Sequence, residues 1–277
     1  MIMNARLSRV SIGIALLIGA AISLYPLFFM LSTSLQPSAV ILEYPPRLWP
    51  SAPTWDHYKE AWNSQQFGQS LLNSVFVTVA SFFALFALSS MLAFAYSRFE
   101  FRGKRLSWLV LMACLTIPVM TLIIPQFVMT RDMGLYDSYW ALILVYTASG
   151  IPFTTFLLKG FFDSISREID ESVYMDGGSS RLLFLRIVMP LSKPAFVPAI
   201  IFNALYIWEE FPWALTIIND PAKRTLPVAL ANFQGQYTTQ WGVVFAGSLI
   251  ALLPILFLFL FLQRYLIRGM TAGAVKG

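Results

Sequence analysis

Chemistry in this chain has few places to reside. One pair of acids, Glu209-Glu210, lies inside the apolar run 194–218. A second concentration of charge is 163–193, DSISREIDESVYMDGGSSRLLFLRIVMPLSK. Carboxylates in an apolar run are costly and face a partner or a water-filled path. A charged run between apolar runs is a surface element that another protein can grip. The single cysteine, Cys114, excludes an internal disulfide and any cysteine-clustered metal site. The single histidine, His57, leaves little for metal or acid–base chemistry, and no metal site is expected.

The rest of the composition says what surrounds those residues. The 277 residues are 57% apolar and 12% charged, with mean hydropathy +0.67. Soluble domains carry roughly 25% charge. So few charges cannot solvate a globule of this size, which argues against a soluble enzyme and for a surface that faces lipid. The net charge of +5 fits loop bias in a membrane protein better than nucleic-acid binding, and no nucleic-acid partner is expected.

Six segments are apolar and long enough to span a bilayer, which takes about 20 residues. They run roughly 10–32, 70–97, 106–129, 139–159, 194–218 and 241–262. The first is too long for the apolar core of a cleaved signal and is read as an uncleaved span. With the N-terminus inside, only Arg47, Lys59, Arg131, Lys223 and Arg224 of the 19 Lys and Arg fall outside. The positive-inside rule therefore places both termini in the cytoplasm. The expected fold is all-α and polytopic, a single transmembrane domain over 1–277 with its core at 70–262. Prolines inside the spans (Pro118, Pro125, Pro152, Pro212, Pro254) favour a bundle that forms a pathway, because freed carbonyls must be satisfied by protein or water.

The segment 160–193 is the longest inside loop. Ser166 can cap a helix with Glu168, Asp170 and Glu171 in its first turns, where the dipole favours anions. Gly177-Gly178 breaks it. A second stretch, Ser180–Val188, presents Leu182, Leu183, Leu185 and Ile187, and Pro190 and Pro194 end it. Two short helices on a glycine turn form a compact knob suited to a groove in a soluble partner.

This loop resembles that of the ABC-importer permeases, whose pattern is E-A-A, three residues, G, nine residues, I-x-L-P. Here Glu171-Ser172-Val173 stands before Gly177, and Ile187-Val188-Met189-Pro190 follows at the same spacing. Ser172 and Val173 replace the two alanines, and Met189 replaces the leucine. Asp176-Gly177 is typical of the sugar-importing branch. The ending from Gln263 to Gly277 is similar to that of the maltose-type second permease subunit of carbohydrate importers. Trp208-Glu209-Glu210-Phe211 resembles that group's W-N-E-F, with Glu209 in place of asparagine, and Tyr237, Trp241-Gly242 and Pro254 also fit.

The resemblance implies a type I ABC importer transmembrane domain in a bacterial or archaeal cytoplasmic membrane, and a transport subunit in place of an enzyme. It implies a second permease subunit, a dimer of ATPase subunits and an extracytoplasmic solute-binding protein as partners, besides membrane lipid. The chain binds no cofactor of its own, and ATP with magnesium belongs to the ATPase. The absence of a G-x-x-x-x-G-K-[ST] loop agrees. In this reading Glu171, Ser172, Val173, Asp176, Gly177, Ile187 and Pro190 couple to the ATPase, the alternative for the acids being solvated surface carboxylates. Around Gln234–Thr239, Gln234, Gln236 and Tyr237 contact the binding protein, the alternative being an ordinary surface loop. The solute is a sugar or a related polyhydroxylated molecule.

For Glu209 and Glu210 the expectation is a translocation path or outer gate with Trp208 packed nearby. The alternative is a hydrogen-bonded brace between helices. Adjacent helical residues point about 100° apart, so the two acids are not expected to line one surface. The rival to the whole reading is a stand-alone secondary carrier or channel, which would need ion-coupling residues in several spans.

Overall fold

The computed structural model describes residues 2–274 apart from 39, 40, 42, 44–47, 51, 65 and 235–238; for 2–11 and 265–274 it describes the backbone only. The described residues are helical throughout, apart from turns and one isolated bridge, Gln234 to Thr239. Four helices contain stretches long and apolar enough to cross a membrane: α1 (Ile2–Ser34), α3 (Phe67–Arg98), α6 (Tyr139–Asp163) and α13 (Trp241–Ala274). Two bent pairs raise the number to six if each pair is one span.

Two of the six expected spans are broken helices, as their prolines imply. The stretch 106–129 breaks by 100° at Ile117-Pro118. Proline forces the residue before it out of the helical region, and Ile117 is extended (φ −83°, ψ 119°). α4 (Lys104–Ala113) precedes the break, and α5 (Ile123–Asp132) follows it. The stretch 194–218 divides into α10 (Lys193–Glu209) and α11 (Pro212–Ile217), with Glu210 extended between them. Pro212 has no amide hydrogen with which to continue α10 and instead starts α11, where none is needed.

The chain packs as two units, Met1–Gly68 with Ala229–Leu253, and Gln69–Val228 with Pro254–Gly277. In the first, α2 (Asp56–Asn63) buries His57, whose Nε2 donates to the Gln36 carbonyl at 2.9 Å. The His57 ring fills the space that a side chain at position 242 would need. Phe67 stacks on Phe233 at 6.0 Å.

The second unit has two apolar cores along α3, α6 and α10. One gathers Val77, Leu142, Tyr146, Ile207, Trp213 and Ile217. The other gathers Phe94, Leu158, Phe162, Leu183 and Val188. Between them the helices approach through small residues. A Cβ at Gly150 would stand 2.8 Å from both Asn203 Oδ1 and Leu85 Cδ2, and Asn203 Nδ2 donates to Thr154 Oγ1 at 2.9 Å. Close helix approach through glycine, with a polar bond across it, is how helices associate where lipid offers no hydrophobic drive.

Gly150→Leu is therefore expected to overpack this crossing and to destabilise the folded chain by about 1–3 kcal/mol, read as a lower unfolding temperature of the detergent-purified protein. Gly160→Leu, at an open position, should leave it unchanged.

Candidate functional site: the glycine-turned loop and its brace

α7 (Arg167–Met175) starts where Ser166 accepts from the Glu168 amide at 3.3 Å. Its exit is a Schellman turn. The Gly178 amide donates to the Val173 carbonyl at 2.8 Å and the Gly177 amide to Tyr174 at 3.0 Å. Gly177 has φ +75°, a conformation that costs side-chain residues energy. A Cβ on Gly178 would lie 2.7 Å from the Val173 carbonyl oxygen. Both glycines of the pair are thus fixed by geometry, and Val173 supplies the wall against which the turn closes.

The second half continues further than the sequence suggests. α8 (Ser180–Leu182) runs into a π-helical turn, Leu183–Val188, and then α9 (Met189–Leu191). The helix passes through Pro190 and bends by 74° before α10. A π turn widens the ladder just ahead of Pro190, whose missing amide hydrogen would otherwise leave a gap. Leu183 is buried and Ile187 half-buried, whereas Leu182 and Leu185 are exposed. Glu171, Ser172, Asp176, Gly177 and Pro190 are all exposed. Beside them stand Tyr174 and Met175, the latter 88% exposed.

The feature not foreseen from sequence lies underneath. Arg98, the last residue of α3, is buried, and its Nε lies 2.7 Å from Asp170 Oδ2. Its other nitrogens donate to the carbonyls of Phe162 (3.0 Å) and Ile165 (3.2 Å). Arg167 donates back to the Ser97 carbonyl at 2.6 Å. Ser97 Oγ donates to Asp163 Oδ1 at 2.6 Å, and Asp163 pairs with Lys159 at 2.6 Å. One guanidinium thus joins the end of α3, the end of α6 and the middle of α7. The only signal in the sequence was an acid at helical position four, which is equally what a dipole alone would favour.

The acid pair occupies the break between α10 and α11. Both carboxylates border one cavity of about 230 Å³ with Gln126, Tyr146 and Tyr206. The 100° rule lapses because the helix ends at Glu209. Glu210 accepts from the amides of Trp213 (2.8 Å) and Ala214 (3.1 Å) and from the Tyr146 hydroxyl (2.6 Å). It caps α11 and ties it to α6. Glu209 is exposed, and Trp208 is buried. Gln234 forms the bridge to Thr239; Gln236 and Tyr237 lie outside the described residues.

A second anchor holds the loop after α11. Asp137 Oδ1 accepts from the amides of Asn219 (2.9 Å) and Asp220 (3.1 Å), and Oδ2 meets Lys223 Nζ at 3.0 Å. Asn73 donates to the carbonyls of Ala222 and Arg224 at 2.8 and 3.0 Å. Burial pushes the Asp137 carboxyl up, but these amides and the Lys223 ammonium outweigh it and hold it below its ordinary value of 3.8. The bond to Asp137 in turn raises Lys223 above 10.5.

Two predictions follow from these anchors. Asp170→Ala leaves the buried Arg98 without its counter-charge and should cost about 3–5 kcal/mol; Arg98→Met with Asp170→Leu should recover much of that, as read by thermal unfolding. The Asp137 contribution is complete above pH 3.8 and is lost as pH falls through its lowered folded value. That of Lys223 is complete below pH 10.5 and is lost as pH rises through its raised one. Amide-exchange protection at Asn219 and Asp220 should accordingly be flat between those limits and collapse in Asp137→Ala.

Comparison with known proteins agrees with this architecture. Residues 85–272 match the family described as the binding-protein-dependent transport system inner membrane component. The probable ABC transporter permease protein YurM of Bacillus subtilis is 37% identical over 255 residues, 91% of this chain and 84% of the relative. The galactooligosaccharides transport system permease protein GanQ of the same organism is 33% identical over 262 residues, 93% of this chain and 92% of that one. A crystal structure of a bacterial ABC transporter that imports the acidic polysaccharide alginate contains a chain of the same fold, with TM-score 0.82, 23% identity, and 95% and 97% of the two chains covered. The chain belongs to the inner membrane components of binding-protein-dependent transport systems, the permease subunits of ABC importers.

Proposed function

We propose that this protein is a permease subunit of an ATP-driven importer of sugars or related polyhydroxylated solutes. It crosses the membrane six times, with the broken stretches 106–129 and 194–218 each counting as one span, and both termini lie in the cytoplasm. It forms half of the translocation path, and a second permease subunit forms the other half. An extracytoplasmic binding protein delivers the solute, and an ATPase dimer grips 166–190. The distribution of Lys and Arg supports the orientation. The sugar names of relatives such as GanQ support the solute class.

The observation that carries the coupling role is the exposed Schellman-turned knob resting on a buried ion pair at the ends of two spans. A rigid knob fixed to helix ends transmits displacement as rigid-body motion. Glu171 and Asp176 stand at its surface for charged contacts, with Met175 between them as an adaptable apolar one. For the path, Glu210 has its oxygens committed to α11 and Tyr146. Glu209 is the acid left to face the solute route.

The test is a set of cysteine crosslinks from Ser172 and Asp176 in the intact complex. They should capture the ATPase and no extracytoplasmic protein. Gly177→Val should lower solute-stimulated ATP hydrolysis at least tenfold while the complex still assembles. Glu209→Gln should alter uptake with stability unchanged, whereas Glu210→Ala should lower stability by about 1–2 kcal/mol through the lost cap. Crosslinks that never reach an ATPase would sink the coupling role.

A further inference from the structure

A cavity in the second unit lies away from both the knob and the acid pair. It is an open groove of about 820 Å³ where the end of α3, the start of α4 and the end of α6 meet. Three cations line it, Lys104, Arg105 and Lys159, together with the rings of Tyr96, Phe101 and Trp108. Tyr96 and Trp108 meet at 5.1 Å, and Lys159 Nζ lies 5.2 Å from the centre of the Trp108 ring. Two acids are near, and both are engaged: Glu100 with Lys104 at 2.7 Å and Asp163 with Lys159 at 2.6 Å. Among the described residues Arg102 and Arg105 have no acid partner, and both are exposed.

The groove has a second half. Leu106 and Leu109 line it and are 69% and 57% exposed, and Val110 continues the same apolar surface along α4. A basic, aromatic mouth that opens onto an apolar helix face has the polarity of an amphiphile. Aromatic rings of this kind sit at the headgroup level of a bilayer. Basic pockets between helices at that level bind acidic headgroups. A free anion would use the mouth and leave the leucines uncovered; an acidic protein segment would not need them.

We propose that this groove is a binding site for one anionic phospholipid of the cytoplasmic leaflet. Its phosphodiester sits between Arg105 and the Lys104–Lys159 side, and an acyl chain lies along Leu106, Leu109 and Val110. The groove shares α3 and α6 with the Arg98 brace, since Lys159 both lines it and pairs with Asp163. An acidic lipid there would steady the cation side of the brace.

The test is native mass spectrometry of the intact transporter complex titrated with dioleoyl phosphatidylglycerol or dioleoyl phosphatidylcholine. The complex should retain the acidic lipid in preference to the zwitterionic one. Arg105→Gln should weaken that retention about five-fold, and Arg105→Glu more, since a basic residue near an acidic surface contributes about that factor. Arg105 makes no internal bond that its loss would break, so both variants should fold. Arg131→Gln, an exposed charge elsewhere, should leave retention unchanged. Millimolar inorganic phosphate should not compete. Equal retention by the wild type and both Arg105 variants overturns the proposal, as does displacement by phosphate. Photocrosslinking from Leu109 that captures a partner subunit in place of lipid also overturns it.

Discussion

A guanidinium removed from water needs a counter-charge and acceptors, and Arg98 meets them in separate elements. Asp170 of α7 supplies the charge, and the carbonyls of Phe162, at the end of α6, and of Ile165, just after it, accept from the terminal nitrogens. Desolvating such a pair is expensive, and it contributes little net stability compared with apolar packing. What it provides is position. One side chain thus ties the ends of α3 and α6 to the middle of α7. Apolar contact alone, which slides at low cost, would not impose that.

The same logic recurs at the opposite ends of the helices. Asp137 and Asn73 collect the loose backbone groups of 219–224. Glu210 collects those at the start of α11. Chain breaks expose backbone groups that lipid cannot satisfy, and at α11 and in 219–224 a side chain meets them. The proline-containing break before α11 is therefore a stable feature of the fold. Between these anchored ends, α3, α6 and α10 pass each other through Gly150 and Asn203. The crossings are close-packed, and the break before α11 is held by hydrogen bonds.

The sugar-permease reading gains from this arrangement because coupling needs a stiff connection between a surface knob and the spans. The tip itself carries uncovered side chains, Tyr174 and Met175. Stiff root and uncovered tip are different requirements, and different residues of one nine-residue helix meet them.

Much of this was legible in the chain alone. Low charge and long apolar runs dictated a lipid-facing helical bundle, because no other surface can be covered with so few charges. The spacing from Glu171 through Gly177 to Pro190 marked the loop by its resemblance to the ABC-permease pattern, and glycine at 177 admits the left-handed turn that ends α7. Prolines announced breaks, but not their size: Pro118 sits at a 100° bend, whereas α6 runs unbroken through Pro152. The roles of Glu209 and Glu210 were inseparable in sequence, being adjacent and alike. Tertiary structure separated them by ending a helix between them and turning amides toward only one. Arg98 and Asp170 are 72 positions apart by residue number, and nothing local in either links them. Composition and periodicity report what a residue prefers, and only the packed chain decides which distant group it meets.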